Sequence, residues 1–321
     1  METKQVKVIV SVLAVAMLAL LSIVGQAADP QQGTQVDSNI GLYADDPRTA
    51  ISSVPRTINS SGSYYLTNDL QTSSANSDAI HINADNVTLD LMGFSLIGRG
   101  SGTGNGILIS GQQNVEIRNG TIRDFGGYGI YENDDENKGG AHRVINVRVL
   151  SNGGNGIDLG GVDHLVRSST VLGNGFGGIF VGPYSKVKDC KISTNLGYGI
   201  ELGDKCMVLE NVVDYNLFSG IWTWSNCVVT DNIICENYSH GILVERDYSL
   251  IKRNTLTENL ENNIIVDGSY NVIEENFVSN SNRGIRFERG GNFFANNRAS
   301  GNNTDYSNTS GNADGGGNVS F

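Results

Sequence analysis

The chain has 321 residues, a net charge of −12 and 17% charged side chains, while apolar residues make up 39%. That apolar share excludes a disordered chain, and 41 Gly against 4 Pro, together with abundant Asn, predict many turns between short strands and exclude an all-α fold. The acidic balance also argues against a nucleic-acid partner, because binding to phosphates needs a basic surface.

The N-terminus has the layout of a secretory signal peptide. Two lysines precede an apolar run over residues 8–24, and Ala27 and Ala28 provide the small side chains of a cleavage site. A retained membrane anchor is the alternative, because the apolar run approaches the length that spans a bilayer. We predict a signal peptide over residues 1–27, a linker over 28–50, and a secreted, periplasmic or cell-surface protein with no membrane segment after cleavage.

A repeat organises the rest of the chain. A small residue followed by Ile, or its equivalent, recurs at steps of 21 to 27 residues. This step is too short for a pair of helices and favours three short strands joined by three turns. The small residues are Ala79, Gly106, Gly129, Gly156, Gly178, Gly199, Gly220, Gly241, Asn263 and Gly284.

Apolar residues at equivalent places in the repeats form three files, one for each strand. Side chains that stack on their neighbours one repeat along predict a right-handed parallel β-helix of about ten coils over residues 76–300. We expect an N-terminal cap over residues 51–75 and a Gly- and Asn-rich tail over residues 301–321. The files are Ile157, Ile179, Ile200, Ile221, Ile242, Ile264 and Ile285; Val166, Val187, Val208, Val229, Ile251 and Ile273; and Val171, Ile192, Val213, Ile234, Leu256 and Val278.

Asparagines recur at the turn between the second and third strands. Asn tolerates the left-handed conformation of a tight bend, and stacked Asn amides can form a hydrogen-bonded ladder along the axis. Small polar residues replace Asn in two coils. We assign to this ladder Asn119, Ser169, Cys190, Asn211, Asn232, Asn254 and Asn276.

Two segments carry a family resemblance. Residues 78–96 read DAIHINADNVTLDLMGFSL, and residues 114–124 read NVEIRNGTIRD. Both are similar to the repeats of bacterial right-handed β-helix proteins of the pectin lyase-like superfamily, and the likeness extends over residues 51–300. It implies an all-β solenoid. The superfamily contains polysaccharide lyases, hydrolases and epimerases, phage tailspikes, and periplasmic accessory proteins of copper-enzyme maturation, so the fold alone does not choose among them.

The resemblance also implies a substrate groove on the outer face of the first strand. The predicted outward residues there are His81, Leu108, Tyr131, Asp158, Phe180, Glu201, Trp222, Leu243, Ile265 and Arg286. Asp158 and Glu201 are two coils apart, so their backbones should lie about 9 to 10 Å apart, at the upper edge of the separation used in inverting glycoside hydrolysis. We therefore predict these two residues as the catalytic pair, with substrate-binding roles for Tyr131, Phe180, Trp222, Trp224, His240 and Arg286.

Other candidates are less specific. Ser239-His240-Gly241 matches only two residues of the Gly-His-Gly element of polygalacturonases, whose paired aspartates are not evident here. His142 and His164 fall in separate turns, which gives little support to a metal cluster. The longer coils place Arg99–Gly104 and Asp134–Gly140 beside the first strand, where they could wall the groove.

Two further predictions rest on stacking between coils. The carboxylates of Glu245, Asp267 and Glu288 recur in successive coils, and need either calcium or arginine partners from Arg246, Arg286 and Arg289. Cys206 and Cys227 occupy equivalent positions in adjacent coils, where a disulfide could join them.

For function, we predict a protein that binds, and as a further option cleaves, extracellular or envelope polysaccharide. If it is an enzyme, it is a polysaccharide lyase or glycoside hydrolase, with calcium as the one cofactor candidate. A non-catalytic surface solenoid that spaces or binds partners is the competing class. A periplasmic metal-enzyme accessory protein is a third alternative.

Overall fold

The computed structural model describes residues 46–133 and 139–321. The segment predicted as a signal peptide, most of the predicted linker, and residues 134–138 of the second coil insertion lie outside these described residues. No helix in the described part of the chain is long and apolar enough to cross a membrane.

The chain forms the predicted right-handed parallel β-helix. Each coil contributes one strand to a twelve-stranded sheet, here called the first-strand face. Its strands are β2 (Arg56–Ile58), β5 (Ile80–Ile82), β8 (Ile107–Ser110), β10 (Ile130–Asn133), β12 (Ile157–Leu159), β15 (Ile179–Val181), β18 (Ile200–Leu202), β21 (Ile221–Thr223), β24 (Ile242–Val244), β27 (Asn262–Val266), β30 (Arg283–Phe287) and β33 (Thr304–Ser307).

The second and third strands of the coils belong to one bent sheet of 23 strands, because two long strands run through both faces. The second-strand face contains β1 (Thr49–Ile51), β3 (Gly62–Leu66), β6 (Val87–Asp90), β9 (Glu116–Arg123), β11 (Arg143–Leu150), β13 (Leu165–Arg167), β16 (Lys186–Lys188), β19 (Met207–Leu209), β22 (Val228–Thr230), β25 (Leu250–Lys252), β28 (Val272–Glu274), β31 (Phe293–Ala295) and β34 (Ala313–Asp314). The third-strand face contains β4 (Leu70–Gln71), β7 (Ser95–Ile97), β14 (Thr170–Leu172), β17 (Lys191–Ser193), β20 (Val212–Asp214), β23 (Ile233–Cys235), β26 (Thr255–Thr257), β29 (Phe277–Ser279), β32 (Arg298–Ser300) and β35 (Val319–Ser320), and is continued by β9 and β11.

The three predicted apolar files form the core. Every residue in them is at most 1% exposed. The strands pair in parallel and in register, so that Ile157, Ile179 and Ile200 lie directly over one another. Alternation along each three-residue strand sends the middle side chain to one side of the sheet and its two neighbours to the other, and this placement positions the outer file described below.

The described residues form twelve coils, where the sequence predicted about ten. Residues 51–75, predicted as a cap, contain β2, β3 and β4, which pair with β5, β6 and β7 of the next coil. Residues 301–321, predicted as a tail, contain β33, β34 and β35, which pair with β30, β31 and β32. Both segments are therefore coils of the solenoid.

The corner between the second and third strands holds the predicted Asn ladder. Asn211, Asn232, Asn254 and Asn276 are buried, and each amide nitrogen donates to the amide oxygen one coil on, at 2.9 to 3.1 Å. Cys190 lies in the same file, where its backbone N–H donates to Asn211 Oδ1 at 2.9 Å.

The assignment of Asn119 to this ladder was wrong by one position. Gly120 pairs with Val147 and occupies the ladder file, while Asn119 has a φ of 58° and accepts a hydrogen bond from Asn146 Nδ2 at 3.0 Å. Throughout this corner the left-handed residue is the one before the ladder residue, as at Glu210, whose φ is 57°. At this corner, therefore, one residue bends the backbone and the next residue occupies the ladder.

The other two corners carry ladders of their own. The corner between the third strand and the next first strand, here called the third corner, stacks Asn152, Asn174, Asn195, Asn216, Asn237 and Asn259. The corner after the first strand, here called the first corner, stacks His142, His164, Ser185, Cys206, Cys227, Ser249, Asn271 and Asn292 along the axis. These ladders satisfy the buried backbone groups that three bends per coil would otherwise leave unpaired.

Candidate functional site

The outer file of the first-strand face has the predicted register. Tyr131, Asp158, Phe180, Glu201 and Trp222 pair in that order from β10 to β21. All five side chains are half-buried. Aromatic rings and carboxyls therefore alternate along one surface, and each pair of neighbours is about 4.8 Å apart at the backbone.

A second row of aromatic side chains reaches this surface from the third corner. The ring of Tyr128 stacks on Tyr131 at 4.6 Å, and that of Tyr198 lies 4.8 Å from Trp222 and 5.5 Å from Phe218. This row was not among the residues predicted from the sequence. Its signal was present, since Tyr128 and Tyr198 stand directly before the small residue that starts each first strand.

The two carboxyls of the file hold their protons more tightly than ordinary acids. Burial raises the pKa of Asp158 to about 6, and the charge of Glu132 adds to the effect, while a 2.7 Å hydrogen bond from Asn155 Nδ2 opposes it. Burial also raises the pKa of Glu201, and the charge of Asp158 raises it further. Both carboxyls therefore have pKa values above their ordinary ones, and the charge of Asp158 acts on Glu201.

The remaining predicted binding residues lie further along the solenoid. The guanidinium of Arg246 lies 4.9 Å over the ring of Trp224. Arg286 forms an ion pair with Glu288. His240 Nδ1 lies 3.1 Å from Asn262 Nδ2 and 3.2 Å from a Glu261 carboxylate oxygen, and burial lowers its pKa. These contacts leave their binding roles as predictions.

The insertion at Arg99–Gly104 packs back onto the preceding coil. Arg99 Nε donates to Thr72 O at 2.9 Å, and Gly104 N donates to Ala75 O at 3.0 Å. Of the second insertion, only Gly139 and Gly140 are described, so a wall formed by Asp134–Gly140 stays a prediction.

The structure does not assemble a calcium site from Glu245, Asp267 and Glu288. Arg289 Nε lies 3.4 Å from Asp267, and Glu288 is held by Arg286, so arginine partners replace the ion for two of the three. These three carboxylates do not converge on a common point among the described residues. The calcium prediction therefore lacks a ligand set.

The Cys206–Cys227 disulfide is also not formed. All four cysteines lie in the described part of the chain and are free thiols. Cys206 Sγ points to Gly182 O at 3.2 Å, and Cys227 Sγ points to Gly203 O at 3.3 Å. Each thiol thus replaces an Asn amide in the first-corner ladder, and burial raises its pKa to about 12 for Cys206 and about 11 for Cys227.

A buried cluster forms from two histidines whose separate turns had given little support to a metal site. His142 and His164 come from separate turns, but the first corner stacks their rings 5.1 Å apart, and both meet Glu132 of β10. His142 Nε2 lies 2.9 Å from Glu132 Oε1, His164 Nε2 lies 3.2 Å from Oε2, and Gly161 N donates to Oε2 at 2.9 Å. Despite its burial, the pKa of Glu132 is lowered to about 2 by these contacts, so the carboxylate is ionised.

The cluster has the donor set of a metal site, but its hydrogen bonds oppose one. His142 Nδ1 accepts Val115 N at 3.1 Å, and His164 Nδ1 accepts His142 N at 3.3 Å. A neutral imidazole that accepts at Nδ1 carries its proton on Nε2, so neither Nε2 facing Glu132 has a lone pair for a metal. The arrangement instead suits a buried carboxylate that accepts hydrogen bonds from His142 Nε2 and Gly161 N, while His164 Nε2 lies 3.2 Å away without hydrogen-bond geometry.

A protein-family model matches much of the chain. The model of the right handed beta helix region matches residues 133–246 and 178–321, which together cover more than half of the chain. The chain belongs to this family. A search of curated protein sequences finds no match to this β-helix protein.

Solved structures share the β-helix fold at low sequence identity. The A-module of the Azotobacter vinelandii mannuronan C-5 epimerase AlgE6 matches with a TM-score of 0.63 and 13% identity, over 85% of this chain and 90% of that one. A double mutant of the periplasmic alginate epimerase AlgG matches with a TM-score of 0.65 and 15% identity, over 82% and 76%. A tailspike mutant of E. coli bacteriophage HK620, in complex with a pentasaccharide, matches with a TM-score of 0.58 and 11% identity, over 81% and 60%.

Proposed function

We propose that the protein binds a polysaccharide along the first-strand face, between Tyr128 and Trp224. The observation that carries this proposal is the continuous surface in which the rings of Tyr131, Phe180 and Trp222 alternate with the carboxyls of Asp158 and Glu201. Flat rings pack against the apolar faces of sugars, and carboxyls accept hydrogen bonds from their hydroxyls.

The comparisons support a polysaccharide ligand. Two of the matched structures are epimerases of mannuronan or alginate, and a third holds a pentasaccharide. An extracellular or envelope glycan agrees with the leader-like sequence over residues 1–27. We accordingly propose that the protein acts outside the cytoplasm.

We further propose that Asp158 and Glu201 hydrolyse the bound chain with inversion. One carboxyl donates its proton to the glycosidic oxygen as the bond from that oxygen to the anomeric carbon breaks. The other carboxylate takes a proton from a water molecule whose oxygen attacks the same carbon from the opposite side. Raised pKa values keep a proton available for the first step, and the two-coil separation leaves room for the water.

Binding is tested by removing the rings. Using a printed glycan array followed by titration calorimetry, we expect the wild type to bind at least one polysaccharide, and Trp222→Ala and Phe180→Ala each to weaken binding about 5- to 30-fold, as expected for loss of one stacked ring. Phe277→Ala, which removes an exposed ring from the third-strand face, is the matched control and should bind normally. Absence of any glycan ligand, or equal losses in all three variants, would contradict the proposal.

Cleavage is tested on the polysaccharide that binds. Asp158→Asn and Glu201→Gln should each retain binding within a few-fold and lower the rate of reducing-end release by at least about 100-fold, the usual contribution of an acid or base. Retained cleavage in either variant would remove that residue from the catalytic pair. Binding without cleavage by the wild type would leave a non-catalytic glycan-binding solenoid.

A further inference from the structure

Charge on the first-strand face selects the class of glycan. We propose that this face accepts an uncharged polysaccharide and discriminates against uronates and other polyanions. The inference rests on the proposed function and adds to it the chemistry of the ligand. It follows from which charges line the surface and which are missing.

Between Tyr131 and Trp222, no described Lys or Arg forms an ion pair with the acidic residues of the outer file. From β10 to β24 the first strands contain no Lys or Arg, and the third-corner segments that precede these strands contain none either. Asp158 is held by the neutral amide of Asn155, and the carboxylate of Glu201 interacts with Asp158 and Tyr198. The local field at the rings is therefore negative whenever these acids ionise.

Cations near the face are already engaged at the first corner. Lys205 Nζ lies 4.9 Å over the ring of Tyr184 and 2.9 Å from its hydroxyl, and Arg246 lies over Trp224.

The groups that remain are those that recognise hydroxyls. Burial and nearby carboxylates raise the pKa of Tyr128 and of Tyr198, so both phenols stay protonated and can donate. Rings, phenols and carboxyls suit neutral sugars.

The charge pattern also bears on the reaction. Lyase and epimerase chemistry on uronates removes the proton at C5, which is acidified by the adjacent carboxyl group. An uncharged hexose has no such group at C6. A neutral ligand therefore leaves hydrolysis of the glycosidic bond as the reaction that the two carboxyls of this face can perform.

The experiment uses a matched pair of ligands with the full chain. A glycan array that contains neutral, uronate-containing, sulfated and sialylated polysaccharides identifies a ligand, and calorimetry then compares a neutral oligosaccharide with its C6-oxidised counterpart, which differs only by carboxylates. We expect the oxidised form to bind at least about tenfold more weakly at low salt, because each added anion meets an unneutralised acid.

Variants distinguish charge repulsion of the oxidised ligand from a poor fit of its shape. In the double variant Asp158→Asn/Glu201→Gln, the affinity for the oxidised ligand should rise several-fold relative to the affinity for the neutral ligand. The control Glu210→Gln, which changes an exposed acid at another corner, should leave the ratio of the two affinities unchanged. Array signals confined to anionic glycans, or equal or tighter binding of the oxidised ligand, would overturn the inference and keep the proposed glycan binding. No signal on any glycan would overturn both.

Discussion

Asp158 faces outward from its strand, and yet it is buried enough for its pKa to rise. Its place on the middle of a three-residue strand directs the carboxyl outward, but neighbouring rings remove enough water to raise its pKa to about 6. The buried charge of Glu132, one strand away in the pairing order, acts in the same direction. Folding thus keeps more of this acid protonated near neutral pH. The free energy of unfolding falls when the proton leaves.

This coupling predicts a pH-dependent effect of Asp158→Asn. Because the folded pKa lies above the ordinary value of 3.8, the stability contributed by the proton is fully present below about pH 4 and is lost as the pH rises through about 6. Relative to wild type, Asp158→Asn should therefore gain about 1 to 3 kcal/mol in apparent unfolding free energy between pH 4 and pH 8. Urea denaturation at both pH values measures it.

The control for this experiment is Glu210→Gln. Its carboxylate is exposed and lies 3.3 Å from Lys188 Nζ in a surface ion pair, which contributes little. The difference between the two variants should grow with pH. A pH-independent difference would mean that Asp158 does not carry a raised pKa.

At the scale of the element, each corner divides its work between two adjacent residues. Glu210 adopts the left-handed conformation, with φ of 57°, and Asn211 stacks its buried amide in the ladder. Asn211 accepts Cys190 N at 2.9 Å and donates to Val187 O at 3.1 Å. The first residue needs a permissive backbone, and the second needs a specific side chain.

Substitutions at these two neighbours should have very different effects. Asn211→Ala leaves the buried N–H of Cys190 without its acceptor and removes the amide hydrogen bond to Asn232, and it should cost about 2 to 4 kcal/mol. Glu210→Gly should stay within about 1 kcal/mol of wild type, because Gly relieves the left-handed strain while loosening the unfolded chain. Chemical denaturation compares them. Equal destabilisation by both would contradict the division of tasks.

The sequence could predict the strands but not which corner residue did which task. Ile at every repeat and the alternating pattern were enough to place all three apolar files and the outer file. Asn119 was assigned to the wrong position because Asn suits both a left-handed bend and a stacked amide, and only the register with Val147 separates them. Tyr128 and Tyr198 were missed since they precede the strand rather than lie on it.

At the scale of the whole molecule, stability is a sum over neighbouring coils. Each coil contacts the coils before and after it, so an end coil covers the core of one neighbour. Residues 301–321 do this for the preceding coil. Tyr306 lies 6.3 Å from Phe294, and the amide of Asn318 accepts from Asn297 Nδ2 at 3.1 Å.

Removal of residues 301–321 should therefore act locally. Phe294 and Ala299, which are at most 4% exposed, would lose their cover, and the pairings of β31 and β32 with β34 and β35 would be lost. We expect a lower apparent Tm and faster amide hydrogen exchange in β31 and β32, with unchanged protection in β12 and β15. Uniformly faster exchange along the solenoid would argue against nearest-neighbour stability.

The sequence by itself determined the repeat, the direction of each side chain and hence the outer file of aromatic and acidic residues, because period and alternation are local properties of the chain. Only the tertiary structure decided the contacts that depend on how corners stack. It joined Glu132, His142 and His164, paired Asp267 and Glu288 with arginines, and left Cys206 and Cys227 as free thiols. Such contacts depend on the direction of a side chain at a bend, and the alternation within strands does not predict that direction.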